Sequence, residues 1–140
     1  MKNKLNILFV CKYNRFRSRI AEAYFNKINK NPKIKVRSGG IMVGAYPLDK
    51  QEVEVAKRFG IILRGKPEPV TTAKLIWQDL IVIVADNVPK SLFDFNENRY
   101  KKKTIVWKIL DIKSRDGKKE AEARIKMIIK KVDELVKDIG

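Results

Sequence analysis

The sequence predicts an α/β fold, a parallel sheet in the middle layer with helices packed on both faces. Three observations carry that expectation. The runs LNILFV (5–10), DLIVIVA (79–85) and KTIVWKI (103–109) are almost continuously apolar, as strands covered on both sides require. Segments with helical periodicity lie between them. The last stretch, from Lys118 to about Lys137, carries Ile125, Ile128, Ile129, Val132, Leu135 and Val136 as one stripe of a long amphipathic helix.

Each element has a local reason. After the first strand, Ile20, Ala23, Tyr24 and Ile28 recur at helical spacing between Ser18 and about Lys30, and Pro32 lies just beyond to stop that helix. KIKVRS (33–38) alternates as a second strand, which Gly39-Gly40 ends. Asp49 with Glu52 has the form of a capping box, opening a helix through Phe59 with Gly60 as its stop. A short helix is expected from Thr72 to Gln78. No internal repeat, low-complexity tract or linker interrupts the pattern, so residues 1–140 read as one domain.

Composition narrows the function classes. Apolar residues make up 44% of the 140, enough for a packed core. With one cysteine, Cys11, there is no internal disulfide and no sign of an oxidising compartment. No secretory leader or membrane span is evident, so the expected location is cytoplasmic. Thirty-two Lys and Arg against 16 Asp and Glu give a formal net charge of +16, which suits phosphorylated substrates, an anionic surface or nucleic acid. The lysines are scattered along the chain, a pattern that a solvated surface also produces. Nucleic acid is the less favoured partner, because no recognised motif appears and the aromatics are not spaced as a stacking platform.

The chemistry concentrates where the first strand meets the first helix, in CKYNRFRS (11–18). In sheets of this kind ligands sit beyond the carboxyl ends of the strands, and Cys11 occupies such an end. Backbone N–H groups of a strand-to-helix turn can converge on the positive end of the helix and hold phosphate or another oxyanion. A thiol in that field is favoured in its ionised, nucleophilic form. Arg17 opens the helix and supplies a planar fork for two phosphate oxygens. A thiolate facing such a cradle is a nucleophile aimed at phosphorus.

The pattern C-x5-R-S in this turn, continuing into Ala21-Glu22-Ala23, resembles the low-molecular-weight protein tyrosine phosphatases and the related thioredoxin-coupled arsenate reductases. Ser38-Gly39-Gly40 resembles the family's Ser-Ala-Gly, Asp79-Leu80-Ile81-Val82 its D-x-I-V strand, and Trp107-Lys108-Ile109-Leu110-Asp111 the segment delivering its general acid. The resemblance implies a single-domain, flavodoxin-like sandwich with four parallel strands. It also implies a cysteine-dependent phosphomonoesterase, a protein tyrosine phosphatase, that works through a phosphocysteine and needs neither metal nor cofactor. Cys11 would be the nucleophile, Arg17 the phosphate clamp and Asp111 the general acid and base. Ser18 would donate to the thiolate, Asn14 would hold the loop in shape, and Lys12, Tyr13, Arg15 and Phe16 complete the phosphate-binding loop. The partner is then a phosphorylated protein or small phosphomonoester, with phosphate as product.

The chain also departs from the family. Tyr13 stands where Gly is usual, Phe16 where Cys, Arg19 and Ile112 where Pro, and no aromatic pair follows Asp111. Tyr13 can replace the missing aromatic wall, and Lys12, Arg15 and Arg19 add positive potential. Asp116, in the SRDG turn, is a competing acid. Two other readings stay open: an arsenate reductase of the same fold, and a non-enzymatic phosphate or nucleic-acid binder.

Overall fold

The computed structural model describes residues 4–112 and 117–139. Four strands, β1 (Leu5–Cys11), β2 (Ile34–Gly40), β3 (Leu80–Val84) and β4 (Lys103–Trp107), form one sheet in the order β2-β1-β3-β4. Every pairing is parallel. The helices are α1 (Arg17–Ile28), α2 (Lys50–Arg58), α3 (Thr72–Trp77), α4 (Asp94–Asn98) and α5 (Gly117–Ile139).

The continuous apolar runs have their explanation in two cores. On one face Ile7 and Phe9 of β1 pack with Ile20 and Phe25 of α1, Val55 of α2, and Ile125, Ile128 and Val132 of α5. On the other face Leu8 and Val10 meet Ile81, Ile83, Val88 and Phe93, with Leu75 and Trp77 of α3 closing the layer. A strand buried on both sides has no polar face, so it cannot alternate. Outward from β1, β2 does alternate: Lys35 and Arg37 are exposed between buried Ile34, Val36 and Ser38.

Strand order places the functional crevice. The chain runs from β1 outward to β2, then returns to lay β3 on the opposite edge of β1. Connections therefore diverge between β1 and β3, leaving a cleft at their carboxyl ends. Cys11 ends β1 there, and Asp86 and Asn87 follow β3.

Several boundaries differ from the sequence expectation for local reasons. Helix α1 stops at Ile28 rather than near Lys30, because Asn29 turns the chain before Pro32 acts. Its Oδ1 accepts from Asn31 N, and its Nδ2 donates to the carbonyls of Asn31 and Ile34, each at 3.0 Å. Strand β3 begins at Leu80 because Asp79 is engaged at the strand's entry, where its Oδ2 accepts from Asn6 N at 2.9 Å. A 3₁₀ turn at Lys90–Phe93 and the short α4 were not foreseen. Neither is long enough to repeat an apolar spacing.

Candidate active site

The turn after β1 is shaped by Asn14. Its φ of 54° lies in the left-handed region, where Asn is among the better-tolerated residues. Its side chain is fully buried and engaged at both ends. Nδ2 donates to Ser18 Oγ at 2.8 Å and to Ser38 Oγ at 3.0 Å, while Oδ1 accepts from Glu68 N at 2.8 Å. One amide thus ties the loop to α1, to β2 and to the segment before α3. Gly40 lets β2 approach closely: a Cβ there would lie 2.8 Å from both Asn14 N and the Tyr13 carbonyl carbon.

Those bonds also orient the hydroxyl nearest the thiol. Ser18 Oγ accepts from Asn14, which leaves its own proton for Cys11 Sγ, 2.9 Å away. Ser38 is polarised in the same way, accepting from Asn14 and donating to Glu22 Oε1 at 2.7 Å. The chain Glu22–Ser38–Asn14–Ser18–Cys11 is a continuous network, buried except at its Glu22 end, in which each polar atom fixes the next.

Arg17 is nearly inaccessible, at 2% exposure, and is held by four neighbours. Nη1 donates to Ile109 O at 2.9 Å and Nη2 to Asn87 Oδ1 at 3.0 Å. Asp86 lies 3.5 Å from Nη1, and Asp111 lies 3.7 Å from Nη2. The guanidinium is therefore pre-aimed by the ends of β3 and β4 before any anion arrives.

A cavity of about 190 Å³ opens over Cys11. Arg17 and Asp111 line it, Tyr13, Phe16 and Ile112 wall it, and Arg15 and Glu52 complete the rim. Phe16 gives α1 no side-chain cap, so the first amides of the helix open toward this end of the sheet. The segment bearing Asp111 is anchored at several points. Asp86 N donates to Ile109 O at 3.0 Å, Arg124 Nε to Leu110 O at 2.8 Å, and Asp111 Oδ1 accepts from Ile112 N at 2.9 Å. A larger hollow of about 470 Å³ between α1 and residues 62–68 contains no nucleophile.

A model of the low molecular weight phosphotyrosine protein phosphatase family matches residues 6–137. The chain belongs to that family. It is accordingly a phosphatase of the cysteine-based class. Its fold is similar to that of a low molecular weight phosphotyrosine phosphatase from Vibrio cholerae O395, with 20% identity, coverage of 96% of this chain and 95% of that one, and a TM-score of 0.81. It is also similar to an arsenate reductase from Archaeoglobus fulgidus, with 25% identity, coverage of 93% and 98%, and a TM-score of 0.70. A third neighbour, the YwlE arginine phosphatase from Geobacillus stearothermophilus, shares 19% identity over 92% and 93% of the chains, with a TM-score of 0.66. Nothing among curated proteins matches the chain.

In this phosphatase the residues singled out from sequence fall into two groups. Cys11, Tyr13, Arg15, Phe16, Arg17 and Asp111 line one cavity, whereas Asn14 and Ser18 stand behind it. Lys12 does not line the cavity; its ammonium lies over the Tyr13 ring, 5.2 Å from the centroid. Arg19 turns away from the cleft and donates to the carbonyls of Arg64 and Lys66. Asp116 lies outside the described residues.

Three contributors escaped sequence reading. Asp86 and Asn87 could have been found from their place just beyond a strand's carboxyl end. Glu52 was assigned to helix capping, and half of that box forms, with Asp49 Oδ1 accepting from Glu52 N at 3.0 Å. The residue also lines the cavity, and burial, then the neighbouring Asp49, push its pKa up to about 7. Arg15 pulls in the opposite direction, Asp111 adds to the rise, and Arg17 opposes it.

Proposed function

We propose that the enzyme is a protein tyrosine phosphatase in which Cys11 is the nucleophile, Arg17 the phosphate clamp and Asp111 the general acid and base. The observation that carries the reading is the meeting of these three side chains in one small cavity at the divergence of β1 and β3.

The ionised Cys11 sulfur attacks phosphorus from the cavity floor, and Ser18 Oγ–H donates to it from 2.9 Å. As the S–P bond forms, the bond from phosphorus to the leaving oxygen breaks, and the Asp111 carboxyl transfers its proton to that oxygen. Arg17 and the loop amides carry the charge on the phosphoryl oxygens. In the second step the Asp111 carboxylate takes a proton from water. The water oxygen bonds to phosphorus, and the S–P electron pair returns to sulfur. Inorganic phosphate leaves, and both the thiolate and the protonated acid are regenerated.

Tyr13, 38% exposed beside the cavity mouth, supplies an aromatic wall for a phenyl leaving group. That favours phosphotyrosine over the aliphatic phosphoesters. Hydrolysis of matched phosphotyrosine and phosphoserine peptides tests the specificity: the tyrosine peptide should turn over far faster, and equal rates would remove the aromatic argument. An arsenate reductase relay through further cysteines is not built within these 140 residues, which hold one.

A further inference from the structure

Glu52 shares the cavity with Cys11, Arg17 and Asp111, yet the other charged groups around it are already engaged. Arg17 is bonded to Ile109 and Asn87 and faces Asp86 and Asp111. Asp111 accepts from Ile112 N, Asp49 caps α2, and Arg15 Nε donates to Pro47 O at 2.9 Å. The Glu52 carboxyl makes no hydrogen bond among the described residues. A cavity of about 190 Å³ accommodates a tetrahedral oxyanion and part of its leaving group, and Glu52 shares its wall with Cys11 and Arg17.

We infer that Glu52 is a further binding residue of the phosphate site: neutral, it donates a hydrogen bond to the bound oxyanion, and ionised, it repels it. The inference rests on the reading of this cavity as the phosphate site. Two features support it. Glu52 lines the cavity beside Cys11 and Arg17 with no hydrogen bond to its carboxyl among the described residues, and a carboxylate there repels a dianion over the distance at which the protonated form donates. The groups facing Glu52 from α2, the loop after β1, α1 and the segment after β4 are Asp49, Arg15, Arg17 and Asp111, and their balance with burial holds its pKa at about 7. Small changes near neutrality therefore switch its role.

Sulfate is the probe, because it remains a dianion through this range and cannot be hydrolysed here. The Cys11→Ser chain removes the thiol as a second titrating group. Between about pH 6 and about pH 8 its sulfate affinity should fall by roughly tenfold, and that fall should vanish in Cys11→Ser/Glu52→Gln. Glu52→Asp, which keeps an ionisable carboxyl, should retain a pH dependence. Sulfate binding to the Cys11→Ser chain near neutrality should also take up protons from the buffer, a readout that needs no further variant. A flat affinity together with no proton uptake overturns the inference, as does an equal fall in the Glu52→Gln chain. Absence of sulfate binding at every pH overturns both this inference and the phosphate-site reading. Pronounced pH dependence with a wild-type chain that hydrolyses no phosphoester leaves Glu52's role standing and removes the phosphatase mechanism.

Discussion

At the residue scale, two carboxyls in one cleft make separable predictions. Asp111 is assigned to proton transfer, and a proton matters most when the leaving oxygen is strongly basic. Asp111→Asn should slow phenyl phosphate far more than p-nitrophenyl phosphate, whose oxygen departs readily as an anion. Steady-state rates on the pair check this, and equal losses would assign the acid elsewhere, with Asp116→Asn as the parallel variant. Glu52 is expected to show itself in stability. Its pKa is raised from 4.5 to about 7 in the folded chain, chiefly by burial. Below the unfolded value both states hold the proton, and no stability is lost. Between the two values the unfolded chain gives up the proton that the native state keeps, so stability falls, and the loss is complete once pH has passed the folded value. Glu52→Gln should therefore match the wild-type melting temperature near about pH 4.5 and exceed it near about pH 8. A constant difference across that range would mean that the carboxyl does not titrate as described.

At the element scale, the loop after β1 depends on neighbours that bring no chemistry of their own. Gly40 belongs to β2, yet a side chain there would press on the backbone at Tyr13 and Asn14. Gly40→Ala should leave a folded protein whose turnover drops by about a hundredfold, the scale expected when reacting groups are displaced by about 1 Å. Circular dichroism alongside kinetics checks both parts. The same element shows what was legible in the sequence. Strands β1 and β3 and helix α5 were readable because long apolar runs and stripes repeat often enough to fix their type. Cys11 and Arg17 could be singled out because they fall within one strand-to-helix turn, whereas Asn14 and Ser18 were singled out through the family resemblance of that turn. Asp86, Asn87 and Glu52 were not, since they reach the cleft through sheet order and through the packing of α2. The capping residues of α2 were found, but spacing along a helix does not say what a side chain faces across it.

At the scale of the whole molecule, parallel strand order β2-β1-β3-β4 converges the ends of β1 and β3, two helix starts and the segment after β4 on a single cleft. The chain as a whole carries a net charge of +16, which favours the approach of anions. Vanadate or phosphate should raise the melting temperature by binding the native state. Arg17→Ala should weaken that shift much more than Lys12→Ala, because Lys12 lies over Tyr13 and does not line the cavity. Equal effects would indicate diffuse attraction to a basic surface. The central claim is that Cys11 becomes covalently bound to phosphorus, and rapid quenching of p-nitrophenyl phosphate turnover tests it most directly. The account predicts a burst approaching one equivalent of p-nitrophenol, phosphate recovered on the peptide containing Cys11, and loss of both in Cys11→Ser without loss of oxyanion binding. A Cys11→Ser chain that hydrolyses the ester at the wild-type rate would contradict it.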